Sequence, residues 1–165
     1  MRKKPPSAPP PAPGKVVTVP TPAPMPALPT ADERFMDAAL AHAKNGRPSP
    51  NPHVGAVVVK DDEVLTGAHH DRAGSDHAEV AAIRAAGDAA KGATLYVTLE
   101  PCNHHGRTPP CTDSIVTAKI KRVVIGCRDP NPHVEGRGVE KLLAAGVEVV
   151  VGVREAQCAA RGERP

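Results

Sequence analysis

The order of elements in this sequence predicts an α/β fold, a mixed sheet covered by helices on both faces. Three observations lead there. Apolar runs of strand length alternate with segments of helical periodicity, after a hairpin signal early in the chain. A length of 165 residues is that of one domain. The proline-dense first thirty residues fall outside the alternation, because they have no apolar period that could bury a core.

Residues 1–30 hold eleven of the twenty prolines, with Ala, Thr and Val between them, and read as a disordered or polyproline-like tail. Arg2-Lys3-Lys4 is basic, but no apolar run of signal-peptide length follows it, and no stretch reaches the length of a membrane span. The expectation is a soluble, cytoplasmic chain with no membrane partner. Thr30-Ala31-Asp32-Glu33 is a capping-box pattern that opens a first helix. Phe35, Met36, Ala39, Leu40 and Ala43 recur along it at helical spacing, and Gly46 offers a stop.

A Pro-rich segment, 48–53, leads into the apolar run Val54 to Val59, which fits a buried strand. Lys60-Asp61-Asp62-Glu63 is a turn, and Val64 to Ala68 returns as a second strand ending at His69 and His70. His77 to Ala86 predicts a helix that buries Val80, Ala81 and Ile83 and stops at Gly87. Thr94 to Leu99 is a third strand, broken by Glu100-Pro101. That break places Cys102 at a strand's C-terminal edge, where open α/β sheets put their ligand sites. Thr112 to Lys119 is a short helix with Cys111 at its start, and Val123 to Ile125 a fourth strand. A loop over 126–138 follows. Val139 to Ala145 is a helix ended by Gly146, and Val147 to Val151 is the fifth strand. The expected domain is 31–153, with 154–165 a C-terminal tail too short for a further domain.

Net charge is +3, and the four cations Arg2, Lys3, Lys4 and Lys15 of the first thirty residues exceed it, so the remainder is slightly acidic. A nucleic-acid footprint needs basic residues clustered on the folded part. Stacking platforms need aromatics, and Phe35 and Tyr96 are the only two. Nucleic-acid partners are therefore not expected. Four cysteines without a secretion signal point to metal or catalysis before disulfides. Cys127 and Cys158 read as inert thiols.

His77, Cys102 and Cys111 supply one imidazole and two thiolates, a donor set suited to Zn²⁺, which in catalytic sites keeps three protein ligands and a water. Glu79, two residues after the His, can handle that water's protons. His-x-Glu followed by Pro-Cys and a second Cys is the zinc-deaminase pattern, in which the Glu is not a ligand. His77 and Glu79 point to different sides of a helix. They meet in one pocket only off the helix tip, where the helix N-terminus favours anions and lowers a cysteine's pKa.

Eight residues, Asn103-His104-His105-Gly106-Arg107-Thr108-Pro109-Pro110, separate the cysteines, against two in the plain Pro-Cys-x-x-Cys form. That insert resembles the deaminase of bacterial riboflavin biosynthesis. So do Pro50-Asn51-Pro52-His53-Val54-Gly55-Ala56-Val57, the run His70 to Glu79, Tyr96 to Cys102, and Asp129-Pro130-Asn131-Pro132. The resemblance covers roughly residues 32 to 153. It implies a cytidine-deaminase-like three-layer α/β/α fold with a mixed five-stranded sheet. It implies zinc-dependent hydrolytic deamination of a phosphoribosylated diaminopyrimidinone to an aminouracil that keeps its ribosyl phosphate. His77, Cys102 and Cys111 would hold zinc and Glu79 would act as general acid–base. Asn51, His70, His104, Arg107, Asp129 and Asn131 would contact substrate, Arg107 at its phosphate. The family often continues into a reductase domain; none is expected within this chain, and a separate reductase acting on the product and a homodimer are left open. Taken alone, 50–52 read as a turn and His104 and Arg107 as a solvated loop. Two rival readings also stand: a structural zinc module closed by His104 or His105, and a deaminase acting on another pyrimidine or purine. The Asp61-Asp62 turn departs from the Gly common there in the family, and a different turn geometry is expected.

Overall fold

The computed structural model describes residues 28–46, 53–72, 75–102, 110–128 and 137–162. Of the tail expected over residues 1–30, residues 1–27 lie outside the described residues. Helix α1, Ala31–Ala43, begins with the predicted capping box. Glu33 N–H donates to Thr30 Oγ1 at 3.2 Å, and Thr30 N–H donates to Glu33 Oε1 at 3.0 Å. Two N–H groups that a helix start leaves unpaired are thus satisfied. Met36, Ala39, Leu40 and Ala43 are its buried face.

Strand β1, Gly55–Lys60, and strand β2, Glu63–His69, form the hairpin. Lys60 pairs with Glu63, so the loop has two residues. Asp61 and Asp62 both have positive φ, 52° and 60°. Left-handed backbone at both central positions matches the twist of the flanking strands. The two aspartates thus adopt a left-handed backbone that glycine adopts more easily.

Helix α2, Ala78–Ala86, leads through a 3₁₀ turn, Gly87–Ala90, to strand β3, Thr94–Leu99. The inward residues of α2 are Ala78, Glu79, Ala82 and Ile83. The sequence reading assigned Val80 and Ala81 to the core, and both are only half-buried. Apolar periodicity does not count a buried carboxylate, and Glu79 occupies one of the inward positions. Helix α3, Cys111–Thr117, strand β4, Arg122–Cys127, helix α4, Arg137–Ala144, and strand β5, Glu148–Val151, complete the predicted alternation.

Strand order is β2-β1-β3-β4-β5. β1 runs antiparallel to both neighbours, and β3, β4 and β5 are parallel, so the sheet is mixed as expected. The two-residue period of the strands divides the core. Ala56, Val58, Leu95, Val97, Val123 and Ile125 face one layer, together with Ala82 and Ile83 of α2, Ile115 of α3 and Leu142 of α4. Val57, Val59, Tyr96, Leu99 and Val124 face the other, with Met36, Ala39 and Leu40 of α1.

The second layer has a further member. The segment expected to be a tail after residue 153 forms helix α5, Glu155–Gly162. Cys158 is 1% exposed and lies in the core beside Cys127. A Cβ on Gly126 would stand 2.2 Å from Cys158 Sγ, so this glycine is what allows α5 to lie against β4. Arg154, just ahead of α5, donates to Asp37 at 3.1 and 3.2 Å and pairs with Glu33 at 3.1 Å. α5 is joined to α1 and belongs to the domain. Among the described residues no helix is long and apolar enough to cross a membrane.

Candidate metal centre

His77 is the N-cap of α2, with extended backbone at φ −65° and ψ 154°. Cys102 follows β3 by way of Glu100-Pro101, and Cys111 opens α3. Three elements thus deliver three donors to one point. His77 Nδ1 lies 3.0 Å from Cys111 Sγ and 3.7 Å from Cys102 Sγ, and the two sulfurs are 3.2 Å apart. Zinc–sulfur and zinc–imidazole bonds at a tetrahedral angle set donor separations of about 3.6–3.8 Å. The triad is close to those edges and would open slightly to meet them. The donor set and its spacing fit zinc, and among the described residues the cluster holds three donors, not four.

Backbone groups hold the two cysteines together. Thr112 N–H donates to Cys102 O at 3.3 Å, and Cys111 N–H donates to Cys102 Sγ at 3.4 Å. The start of α3 is latched to Cys102 across the eight intervening residues. Hydrogen bonds favour the charged sulfur at Cys102. The Cys111 thiol, followed by the His77 ring and the Cys111 amide, brings it down to about 4 against the opposing effect of burial. The Cys102 sulfur in turn raises Cys111, with burial adding to the effect, and lifts His77 to about 9.

Glu79 is 4% exposed in the first turn of α2. Burial pushes its carboxyl above the usual range, opposed in part by the His77 charge. Its Oε2 is buried and has no hydrogen-bond partner among the described residues. A carboxylate oxygen kept dry without a partner is costly. Beside a metal triad it is placed to exchange a proton with a ligand. His70 is 4% exposed, with its ring edge-on to that of His77 at 5.2 Å. Its Nδ1 lies 3.1 Å from Asp76 O, which makes Nδ1 the protonated nitrogen. Burial lowers the pKa of His70 and favours the neutral ring.

His70, His77, Glu79, Cys102 and Cys111 are therefore brought together. Asn51, His104, Arg107, Asp129 and Asn131 lie outside the described residues. Cys127 and Cys158 are in the opposite layer. The sequence reading missed Glu100, taken only as a strand break. It is 3% exposed, its N–H donates to Cys127 O at 3.0 Å, and its Oε2 accepts from Val139 N–H at 3.4 Å. The available signal was a carboxylate directly following a strand of continuous core residues.

A family described as the cytidine and deoxycytidylate deaminase zinc-binding region matches residues 29–127. The chain is 58% identical over 126 residues to the riboflavin biosynthesis protein RibD of Aquifex aeolicus, covering 75% of this chain and 35% of that one. It is 45% identical over 124 residues to the diaminohydroxyphosphoribosylamino-pyrimidine deaminase of Buchnera aphidicola, covering 74% of this chain and 84% of that one. Among solved structures it is similar to RibD of Acinetobacter baumannii, with a TM-score of 0.78 and 50% identity over 79% of this chain and 37% of that one. The chain spans about a third of the length of these RibD relatives and most of the Buchnera protein.

Proposed function

We propose that this chain, which belongs to the cytidine and deoxycytidylate deaminase zinc-binding family, deaminates a phosphoribosylated diaminopyrimidinone to the corresponding aminouracil. The observation that carries the reading is the convergence of His77, Cys102 and Cys111 beside the buried Glu79 Oε2, which has no hydrogen-bond partner among the described residues. Its support on the substrate side is the identity to the Buchnera deaminase, most of which the chain covers.

In this reading His77, Cys102 and Cys111 hold zinc. Bound zinc supplies a Lewis acid that makes a nucleophile of water near neutral pH. Glu79 would take one proton from the attacking water and give it to the ring nitrogen, then take the second from the hydroxyl of the resulting adduct and give it to the amino group, which leaves as ammonia. Burial raises the Glu79 pKa and favours the protonated form. His70, neutral and fixed by Asp76, offers its ring to the substrate beside His77. Asn51, His104, Asp129 and Asn131 are substrate contacts, and Arg107 binds the phosphate through paired charge-assisted hydrogen bonds. A reductase acting on the product, and a homodimer, belong to the same reading.

The test is ammonia release by the purified chain offered the phosphoribosyl diaminopyrimidinone beside cytidine, guanine and tRNA. Turnover of the first and not the others is expected. A preference for any of the others would overturn the substrate assignment.

A further inference from the structure

Main-chain atoms from several elements set His70 beside the metal triad. The residue is 4% exposed, and its ring meets that of His77 edge-on. Its N–H donates to Val54 O at 3.0 Å, next to the Gly55–His69 pair of the β1–β2 ladder. Its Nδ1 donates to Asp76 O at 3.1 Å, just ahead of α2. A Cβ on Gly46, after α1, would stand 2.1 Å from His70 O, so the chain there lies bare against the His70 carbonyl.

Val54 holds His70 only as firmly as Val54 is itself held. The main-chain pairing of β1 with β3 ends at Ala56 and Val97. At the next residue of each strand a side chain takes over, and Gly55 N–H donates to Thr98 Oγ1 at 3.2 Å. Thr98 is 1% exposed, so no water competes for that bond. On the α1 side a Cβ on Gly55 would stand 1.9 Å from Ala39 O, so the start of β1 is closed against the helix as well. Valine suits a strand as well as threonine does, and the sheet itself does not require this hydroxyl. What the hydroxyl supplies is the β3 anchor for the residue next to Val54.

We propose that Thr98 is a positioning residue that acts through Gly55 and Val54 to hold His70 against the metal centre. That His70 there meets the substrate rests on the deaminase reading above. The line of contacts from Thr98 to His70 does not.

The experiment compares wild type with Thr98→Val and Thr98→Ser, and repeats Thr98→Val in a His70→Ala background. It reads zinc per chain, amide exchange at His70 and along β4, and kcat and KM for the phosphoribosyl diaminopyrimidinone. A buried N–H left without its acceptor shifts such equilibria by about tenfold. Thr98→Val is expected to keep its zinc, to exchange at His70 about tenfold faster with β4 unchanged, and to raise KM by up to about tenfold with a smaller change in kcat. Thr98→Ser keeps the oxygen and should restore both. In the His70→Ala background Thr98→Val should add nothing to KM, because residues acting along one line are not additive. Unchanged His70 exchange and KM in Thr98→Val would overturn the proposal. So would equal acceleration of exchange along β4, or loss of zinc in step with activity, because Thr98 would then only stabilise the fold. The same rise in KM with and without the His70 ring would overturn it too, since Thr98 would then reach the site by another way. If Thr98→Val does not fold, Thr98→Cys, whose sulfur is a weak acceptor, takes its place with the same outcomes. If wild type does not turn over this substrate, the deaminase reading fails, and exchange alone decides the positioning: faster exchange at His70 in Thr98→Val, restored in Thr98→Ser, upholds it, and any other result overturns it.

Discussion

Arg122 grips Asp32 with two parallel hydrogen bonds, 2.9 and 2.8 Å long, between residues ninety positions apart. Tyr96 O–H donates to the same carboxylate at 2.6 Å. The first turn of α1 is thereby tied to the start of β4 and the middle of β3. The Arg122 hydrogen bond is the main cause that holds Asp32 below its usual 3.8, against some burial.

This pair should make stability acid-sensitive. A carboxyl with a depressed folded pKa contributes stability above its unfolded pKa, and that contribution is lost as pH falls through the folded value. Asp32→Asn should cost about 1–2 kcal/mol near neutral pH, given partial exposure of the pair. The gap between variant and wild type should shrink below about pH 4. Urea unfolding across that range measures it, and a pH-independent gap would remove Asp32 from the acid response.

Removal of residues 1–28 should leave the melting temperature nearly unchanged, since Leu28 is 91% exposed and the cap begins at Thr30. Thr30→Ala in the shortened chain should then cost about 1 kcal/mol. Calorimetry on both separates the tail from the cap. A large drop on deletion alone would show that the tail packs on the domain.

Ending the chain at residue 153 should be far more damaging than its twelve residues suggest. It deletes the Arg154 bonds to Asp37 and Glu33 and uncovers the core beside Cys158. A loss of about 3 kcal/mol or more is expected from those bonds and the exposed apolar surface. Denaturation of the truncated chain gives the number directly.

One zinc per chain is expected from elemental analysis of protein purified without added metal. Cys102→Ala and Cys111→Ala together should abolish it, because a single imidazole is left of the triad. Undiminished zinc in that double variant would place the metal elsewhere.

Glu79→Gln should keep zinc and fold yet lose turnover by roughly 10²–10⁴-fold, the usual worth of a positioned acid–base group. The amide cannot take the water's proton. Near-normal kcat at full zinc occupancy would exclude Glu79 from proton transfer.

The parts of this molecule legible in the sequence are those with a local rule. Thr30 and Glu33 announce the first helix because a capping box is read from residues only three positions apart. The strands announce themselves because β1 and β3 are buried on both faces, β1 as a near-continuous apolar run and β3 as a run of β-formers. His77, Cys102 and Cys111 are legible because few other arrangements use one imidazole and two thiols at that spacing. Helix α5 is not, because one small thiol, Cys158, is its buried contact and its partners, Gly126 and Asp37, are distant in sequence. Glu100 is not, because a carboxylate after a strand reads as its end. Its partners Cys127 and Val139 are fixed only once β4 lies beside β3.

The latch between Cys102 and the start of α3 has a consequence for how such a chain can change. With Thr112 N–H on Cys102 O and Cys111 N–H on Cys102 Sγ, the ends of the insert are closed by backbone bonds that do not involve the insert. The entropy of closing a loop grows only with the logarithm of its length, by about 0.6 kcal/mol per doubling. Lengthening the gap between the cysteines from two residues to eight is then a cost of about 1 kcal/mol, borne by the loop and not by the sulfurs. The separation of the two sulfurs is decoupled from the number of residues between them. The loop can be exchanged for one that suits another substrate while the metal ligands stay where they are.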